Sequence, residues 1–256
     1  MIIQSVHRAM QILGIFSLSE SRLGISEMGR LLNLNKGTVQ GLVRTLVHEG
    51  FLKQDQETRK YQLGLRLYEL GVISAGSLEI NQRSSMLAHE LAKRTQQLVR
   101  IAIFDKDSAM VTLDAYPRSE PFLSRHLGPR APLYCTALGK ALLAFSEQGE
   151  LDAYLEQAEL TPYTPKTITE KDHLLKELQE TKQRGYSINK EEHLFGRTAI
   201  GAPIFGRNGR LAASICLVGN KSKILGKNMK NLAEEVKRTA LEISRQMGYF
   251  PEAISA

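Results

Sequence analysis

Val6, Ala9, Met10, Ile12, Leu13 and Phe16 recur every three or four residues, a spacing that predicts an amphipathic helix beginning near Ser5, a residue type suited to an N-cap. Gly24 interrupts the pattern. Ser26 is placed to cap a short second helix ending at Leu32, and Asn33-Leu34-Asn35 reads as a tight turn into a third. In that third helix Val39, Leu42, Val43, Leu46 and Val47 fall at i, i+3, i+4, i+7 and i+8, so one face belongs to a core. The opposite face presents Lys36, Gly37, Gln40, Gly41 and Arg44: two cations, an amide and two positions without side chains. Gly50 is a C-cap signal, and Phe51-Leu52-Lys53, the polar turn from Asp55 to Arg59 and Lys60-Tyr61-Gln62-Leu63 predict a β-hairpin. Three short helices with a tight turn between the second and third, followed by a hairpin with a basic tip, are the parts of a winged helix-turn-helix. The last helix of that arrangement enters a DNA major groove.

Beyond residue 63 the pattern changes. Leu63 to Ile73 is apolar at helical spacing, and a further helix from about Glu79 to Gln96 carries Ile80, Ser84, Leu87 and Leu91 on one stripe close to a heptad seam. This stripe would pack on the rest of its own chain or on a second copy. From Leu98 onward short strand-like runs alternate with helices: strands at 99–104, 109–113 and 122–126, helices at 136–145, 147–157 and 170–184, strands at 186–190, 198–205 and 210–218, and a closing helix over 228–247. Strands gathered at both ends with helices between them predict an α+β fold around a mainly antiparallel sheet. The expected division is 1–66 for DNA binding, 67–96 for a helical linker and dimerisation region, and 97–256 for a second domain.

Composition narrows the class. The chain of 256 residues carries 34 Lys and Arg against 27 Asp and Glu, a formal charge of +7, which suits a polyanionic partner. Residues 1–66 hold nine basic and five acidic side chains, so more than half of that excess lies at the front. The only cysteines, Cys135 and Cys216, are far apart and outside any CxxC or Cys/His cluster, so neither a disulfide framework nor a metal site is expected, and a reducing cytoplasm fits. No apolar run approaches the roughly 18 residues that a membrane span needs, and a membrane partner is not expected.

Ser5-Val6-x-Arg8-Ala9, Ile25-Ser26-Glu27-Met28, Gly37-Thr38-Val39, Gly50-Phe51-Leu52 and Arg59-Lys60-Tyr61-Gln62-Leu63-Gly64 resemble the IclR-type family of bacterial transcription regulators. The resemblance continues through Gly128-Pro129-Arg130-Ala131-Pro132-Leu133-Tyr134-Cys135-Thr136-Ala137-Leu138-Gly139-Lys140-Ala141, Tyr186 to Glu192, and Ile200-Gly201-Ala202-Pro203-Ile204. It implies a GAF-like second domain that binds a small-molecule effector, a homodimer or dimer of dimers, and double-stranded, palindromic operator DNA as partner. By the same resemblance Arg8, Lys36, Thr38, Gln40, Arg44, Arg59 and Lys60 are DNA-contact candidates. Gln40 and Arg44 suit base edges, and Arg8, Lys36, Arg59 and Lys60 suit phosphates. The family usually carries Ser and Arg at the positions of Gly37 and Gly41; close backbone approach to DNA and simple drift both account for the change.

The resemblance also places Leu123, Cys135, Thr136, Ala137, Leu138, Asn189, Arg197, Ala199, Cys216 and Val218 near the effector, with Arg125 close by. A helix starting near Thr136 presents amide N–H groups and a positive dipole end, which favour an anion. Asn189 stands where some relatives have aspartate; together with Arg125 and Arg197 this points to an organic acid, although either arginine could instead pair with surface carboxylates. Gly139-Lys140 is not a phosphate loop, because residue 134 is Tyr and Ala141 replaces the hydroxyl that would hold magnesium. No cofactor is expected. Two other functions compete: a DNA-binding interaction protein without a ligand, and an enzyme using Cys135 as nucleophile with His126 or His193 as base.

Overall fold

The computed structural model describes residues 1–117 and 128–250. The chain divides into two compact units, Met1–Ser77 and Leu78–Ala256. The strand expected at 122–126, with Leu123, Arg125 and His126, lies outside the described residues.

The first unit contains α1 (Gln4–Gly14), α2 (Ile25–Leu32), α3 (Lys36–His48), β1 (Leu52–Gln54), β2 (Tyr61–Leu63) and α4 (Leu65–Ser77). Its core is Ile12, Leu23, Met28, Val39, Val43, Leu46 and Leu52. Two helix starts differ from expectation. Helix α1 begins at Gln4 with Ile3 as N-cap, so Ser5 is already inside the helix. Helix α2 begins after Gly24, whose N–H donates to the Glu27 carboxylate at 2.6 Å. Glu27 reaching back satisfies the end that Ser26 was expected to cap. The stripe on α1 also splits: Ile12 is buried, whereas Val6 and Met10 are 55% and 52% exposed.

The second unit contains α5 (Glu79–Thr95), β3 (Leu98–Asp105), β4 (Ser108–Ala115), β5 (Arg130–Pro132), α6 (Ala137–Phe145), α7 (Gln148–Gln157), α8 (Lys171–Arg184), β6 (Ser187–Lys190), β7 (Arg197–Phe205), β8 (Leu211–Asn220), α9 (Lys221–Ile224) and α10 (Met229–Gln246). Among the described residues six strands form one sheet in the order β5-β4-β3-β8-β7-β6, and every pairing between them is antiparallel. Alternation along the strands makes two cores. Val99, Ile101, Ile215 and Leu217 face α5 and α10, where Ile80, Leu87, Leu91, Val236 and Ile243 cover them. Ala102, Ala199 and Cys216 face α6 and α8. The seam of α5 therefore packs on its own sheet, and α5 is part of this unit. Gly201 lets α6 approach the sheet and Gly139 lets it approach the segment after β5: a Cβ at Gly201 would sit 2.8 Å from the Ala137 carbonyl, and one at Gly139 2.2 Å from that of Leu133.

Candidate DNA interface and effector pocket

In the first unit, local chemistry aims α3 outward. Asn33 closes α2 in the left-handed conformation (φ 52°), and the Leu34 N–H returns to the Gly29 carbonyl at 2.9 Å. Asn35 then caps α3, its side chain accepting from the Thr38 N–H at 2.8 Å. At the far end Gly50 (φ 75°) completes a Schellman turn: the Phe51 N–H donates to Leu46 and the Gly50 N–H to Val47. With both ends fixed, Val39, Val43 and Leu46 are buried, and Lys36, Gln40 and Arg44 stand exposed on the opposite face. Thr38 is half-buried, and Arg8 is half-buried on α1.

The hairpin is held at its turn by Asp55, whose carboxylate accepts from the Thr58 N–H and hydroxyl at 2.8 and 2.9 Å and pairs with Arg22 at 3.2 Å. The Thr58 hydrogen bonds, foremost among these contacts, hold this carboxyl below its ordinary range against the opposing effect of burial. Arg59 takes a left-handed conformation (φ 58°) at the turn. Lys60 is not a free cation in this structure, because its Nζ lies 2.9 Å from Glu27 Oε1. Leu23 bridges to Tyr61 and ties the hairpin to the helices.

In the second unit a small, partly open cavity of about 50 Å³ lies beside the start of α6. Strand register builds it: Arg100 lies opposite Cys216, Val218 opposite Ala199, and Ala199 opposite Asn189. Of the residues expected near an effector, Thr136, Leu138, Asn189, Arg197, Ala199, Cys216 and Val218 line this cavity, whereas Cys135 and Ala137 are buried and do not line it. Arg100, Arg130 and His193 also line it and were not among the residues expected near an effector. Arg100 was legible in principle, since alternation places it on the face away from Val99 and Ile101.

Among the described lining residues there are three arginines and a histidine and no carboxylate. Arg100 is bonded to Asp114 at 2.7 Å and Arg130 to Asp105. Among the described residues no carboxylate pairs with Arg197. Burial, then the Arg100 charge, push the His193 pKa below its ordinary value. Thr136 caps α6, accepting from the Gly139 N–H at 3.0 Å and donating to the Pro132 carbonyl. Asn189 donates to the Cys135 carbonyl at 3.0 Å and accepts from the Glu192 N–H at 2.9 Å. An ionised aspartate could not make the first of these bonds.

Burial pushes the Cys135 and Cys216 thiols up to about 12. Both are therefore protonated near neutrality and unsuited to nucleophilic attack. Lys140 is 1% exposed and bound to Glu192, which removes it from any phosphate chemistry.

Residues 5–56 match the IclR helix-turn-helix domain, and residues 73–245 match the bacterial transcriptional regulator IclR C-terminal domain. The chain belongs to the IclR family. It is 32% identical over 248 residues to the HTH-type transcriptional regulator XynR of Escherichia coli, covering 97% of this chain and 98% of that one. It is 30% identical over 255 residues to KdgR of the same organism, covering 96% and 94%. The crystal structure of Thermotoga maritima IclR superposes with a TM-score of 0.77 at 28% identity, covering 96% and 99% of the two chains. An IclR homologue from Microbacterium hydrocarbonoxydans, crystallised with 4-hydroxybenzoate, shares the fold with a TM-score of 0.81 at 21% identity, covering 95% of this chain and 99% of the other. This IclR-family protein is thus a transcriptional regulator with a helix-turn-helix domain and a C-terminal effector domain, and its relatives are regulators rather than enzymes. No helix among its described residues is long and apolar enough to cross a membrane.

Proposed function

We propose that this IclR-family regulator binds a small organic acid in the cavity beside Thr136 and that occupancy changes its affinity for operator DNA. The observation that carries the reading is the charge of the lining: among the described residues it holds cationic side chains and no carboxylate, and no described carboxylate pairs with Arg197. Leu138, Leu194, Ala199 and Val218 supply an apolar wall, which suits an acid with a short hydrocarbon or aromatic body. The structural neighbour crystallised with 4-hydroxybenzoate makes that acid a natural probe. Binding to the native state alone raises the melting temperature. An acid that binds should do so where its neutral amide does not, and Arg197→Gln should abolish the difference. Equal shifts from acids and amides, or no shift across a panel of small carboxylic acids, would count against the proposal.

In the same reading α3 lies in the major groove, with Gln40 and Arg44 at base edges, Thr38 near the backbone, and Lys36, Arg8, Arg59 and Lys60 at phosphates. Lys60 would exchange Glu27 for a phosphate. The working form is a homodimer on a palindromic site in the cytoplasm, and dimers could pair further. Exposed apolar residues support self-association: Val6 and Met10 on α1, and Leu65, Tyr68, Val72 and Ile73 on α4, which has no buried residue. Analytical ultracentrifugation tests this, since Tyr68→Glu with Val72→Glu should yield monomers where wild type sediments as a dimer.

A further inference from the structure

Two walls of the cavity come from distant parts of the chain. One is the start of α6, with Thr136 and Leu138; the other is the connection from β6 to β7, with His193, Leu194 and Arg197. That connection turns through left-handed conformations at Glu191 (φ 66°) and Gly196 (φ 74°), so its path depends on what anchors it. Several anchors come from the segment before α8. The Thr164 hydroxyl donates to the Glu191 carbonyl at 2.8 Å, the Thr167 hydroxyl to the Glu192 carbonyl at 2.6 Å, and Lys166 pairs with Glu191. Asn189 and Glu192 instead tie it to the α6 wall. Lys140 Nζ donates to both Glu192 carboxylate oxygens at 2.8 and 2.9 Å, with lysine and glutamate both buried.

The surroundings balance this pair. Lys140 also reaches Glu177 at 3.4 Å, and Glu177 accepts from Arg184 at 2.7 Å. Burial raises the Glu177 pKa, but the charge of Lys140 and the Arg184 hydrogen bond outweigh it, so the carboxyl is held below its ordinary value. Two cations and two anions thus neutralise one another on α6, α8 and the connection. A charge pair this buried is weak as a source of net stability and strict in its geometry, because either partner alone is left uncompensated.

We propose that Lys140 and Glu192 are positioning residues for the effector pocket: the pair is a strut that fixes the wall bearing His193, Leu194 and Arg197 against the start of α6. Neither lines the cavity. The inference rests on the effector reading above for its functional meaning, but its structural content can be measured without a ligand.

The experiment is native-state hydrogen exchange on the full-length protein, comparing wild type with Lys140→Met, Glu192→Gln, the double variant and Lys140→Arg. Amides of residues 193–198 should exchange at least tenfold faster in Lys140→Met and Glu192→Gln, with the double variant no worse than the worse single. Lys140→Arg should keep most of the protection. Amides of β3, β8 and α5 should stay within about twofold of wild type. Unchanged rates at 193–198, or equal acceleration throughout the sheet, would overturn the proposal. Glu192→Gln is nearly isosteric and keeps the test open should Lys140→Met fail to fold. Titration with 4-hydroxybenzoate is the separate functional arm. Wild-type binding weakened at least tenfold in Glu192→Gln supports the strut, and equal affinity in both overturns it. A wild type that does not bind this acid counts against the effector reading, while the exchange result alone decides the positioning claim.

Discussion

Gly41 stands at the middle of α3 on its exposed face, and nothing lies within 4 Å of where its Cβ would be. Its φ is not left-handed, so neither sterics nor backbone conformation within the chain calls for glycine. Alanine at an exposed helix interior is favoured over glycine by about 1 kcal/mol. Gly41→Ala should therefore stabilise the first unit by that amount, which corresponds to roughly a fivefold slowing of exchange for amides that open with it. Gly37 is a weaker site for the same test: it lies in the first turn, and its Cβ would rest at an ordinary 3.6 Å from the Asn35 side chain. The assay is native-state exchange on full-length Gly41→Ala, followed by operator titration. Stability should rise while operator affinity falls at least tenfold, because the added methyl occupies space on the exposed face proposed to enter the groove. A variant no more stable than wild type would refute the claim that the glycine has no internal role. A more stable variant with unchanged operator affinity would show that the glycine is drift rather than an adaptation to close approach.

Arg44→Ala should lower affinity for the best operator by about 1–3 kcal/mol and flatten discrimination among operator variants, as measured by competitive binding. Equal losses on all sequences would remove Arg44 from base reading. His193, whose folded pKa is depressed, binds fewer protons folded than unfolded, so it costs stability as pH falls from about 6.5 towards the folded value. His193→Gln should lose less stability than wild type between pH 7.5 and 5, read from thermal melts; parallel curves would contradict the burial argument. The thiols of Cys135 and Cys216, held near 12, should resist a thiol reagent at pH 7.5 in the native protein and react fully after denaturation. Fast native labelling of Cys135 would reopen its candidacy as a nucleophile.

The helix-turn-helix was legible because its punctuation is local. Asn33, Asn35 and Gly50 each do what their residue type does at a helix end, within a few residues of the partner they bond. Burial along α1 was less legible, since periodicity identifies an apolar stripe without saying whether this chain covers it, and Val6 and Met10 are exposed. The heptad-like seam of α5 had two candidate partners in the sequence, and its own sheet is the one it meets. In the second unit Thr136, Leu138, Asn189 and Arg197, named from the resemblance, line one cavity, and Arg100 and Arg130 are brought to it by strand pairing across the sheet, which no local motif announces. Lys140 lies 52 residues from Glu192, so nothing local in Ala137-Leu138-Gly139-Lys140 announces a buried amine with a carboxylate partner.

In the proposed mechanism the cavity beside Thr136 and α3 are thermodynamically linked. Operators can be selected from random duplexes by the protein itself, and the account expects two half-sites roughly 10 base pairs apart or a multiple of that spacing. Fluorescence anisotropy on the selected operator, with and without a saturating acid that raises the melting temperature, is the most direct test. Linkage requires a change in operator affinity and an equal reciprocal factor in acid affinity when operator is present. Operator affinity unchanged at saturating acid would contradict it.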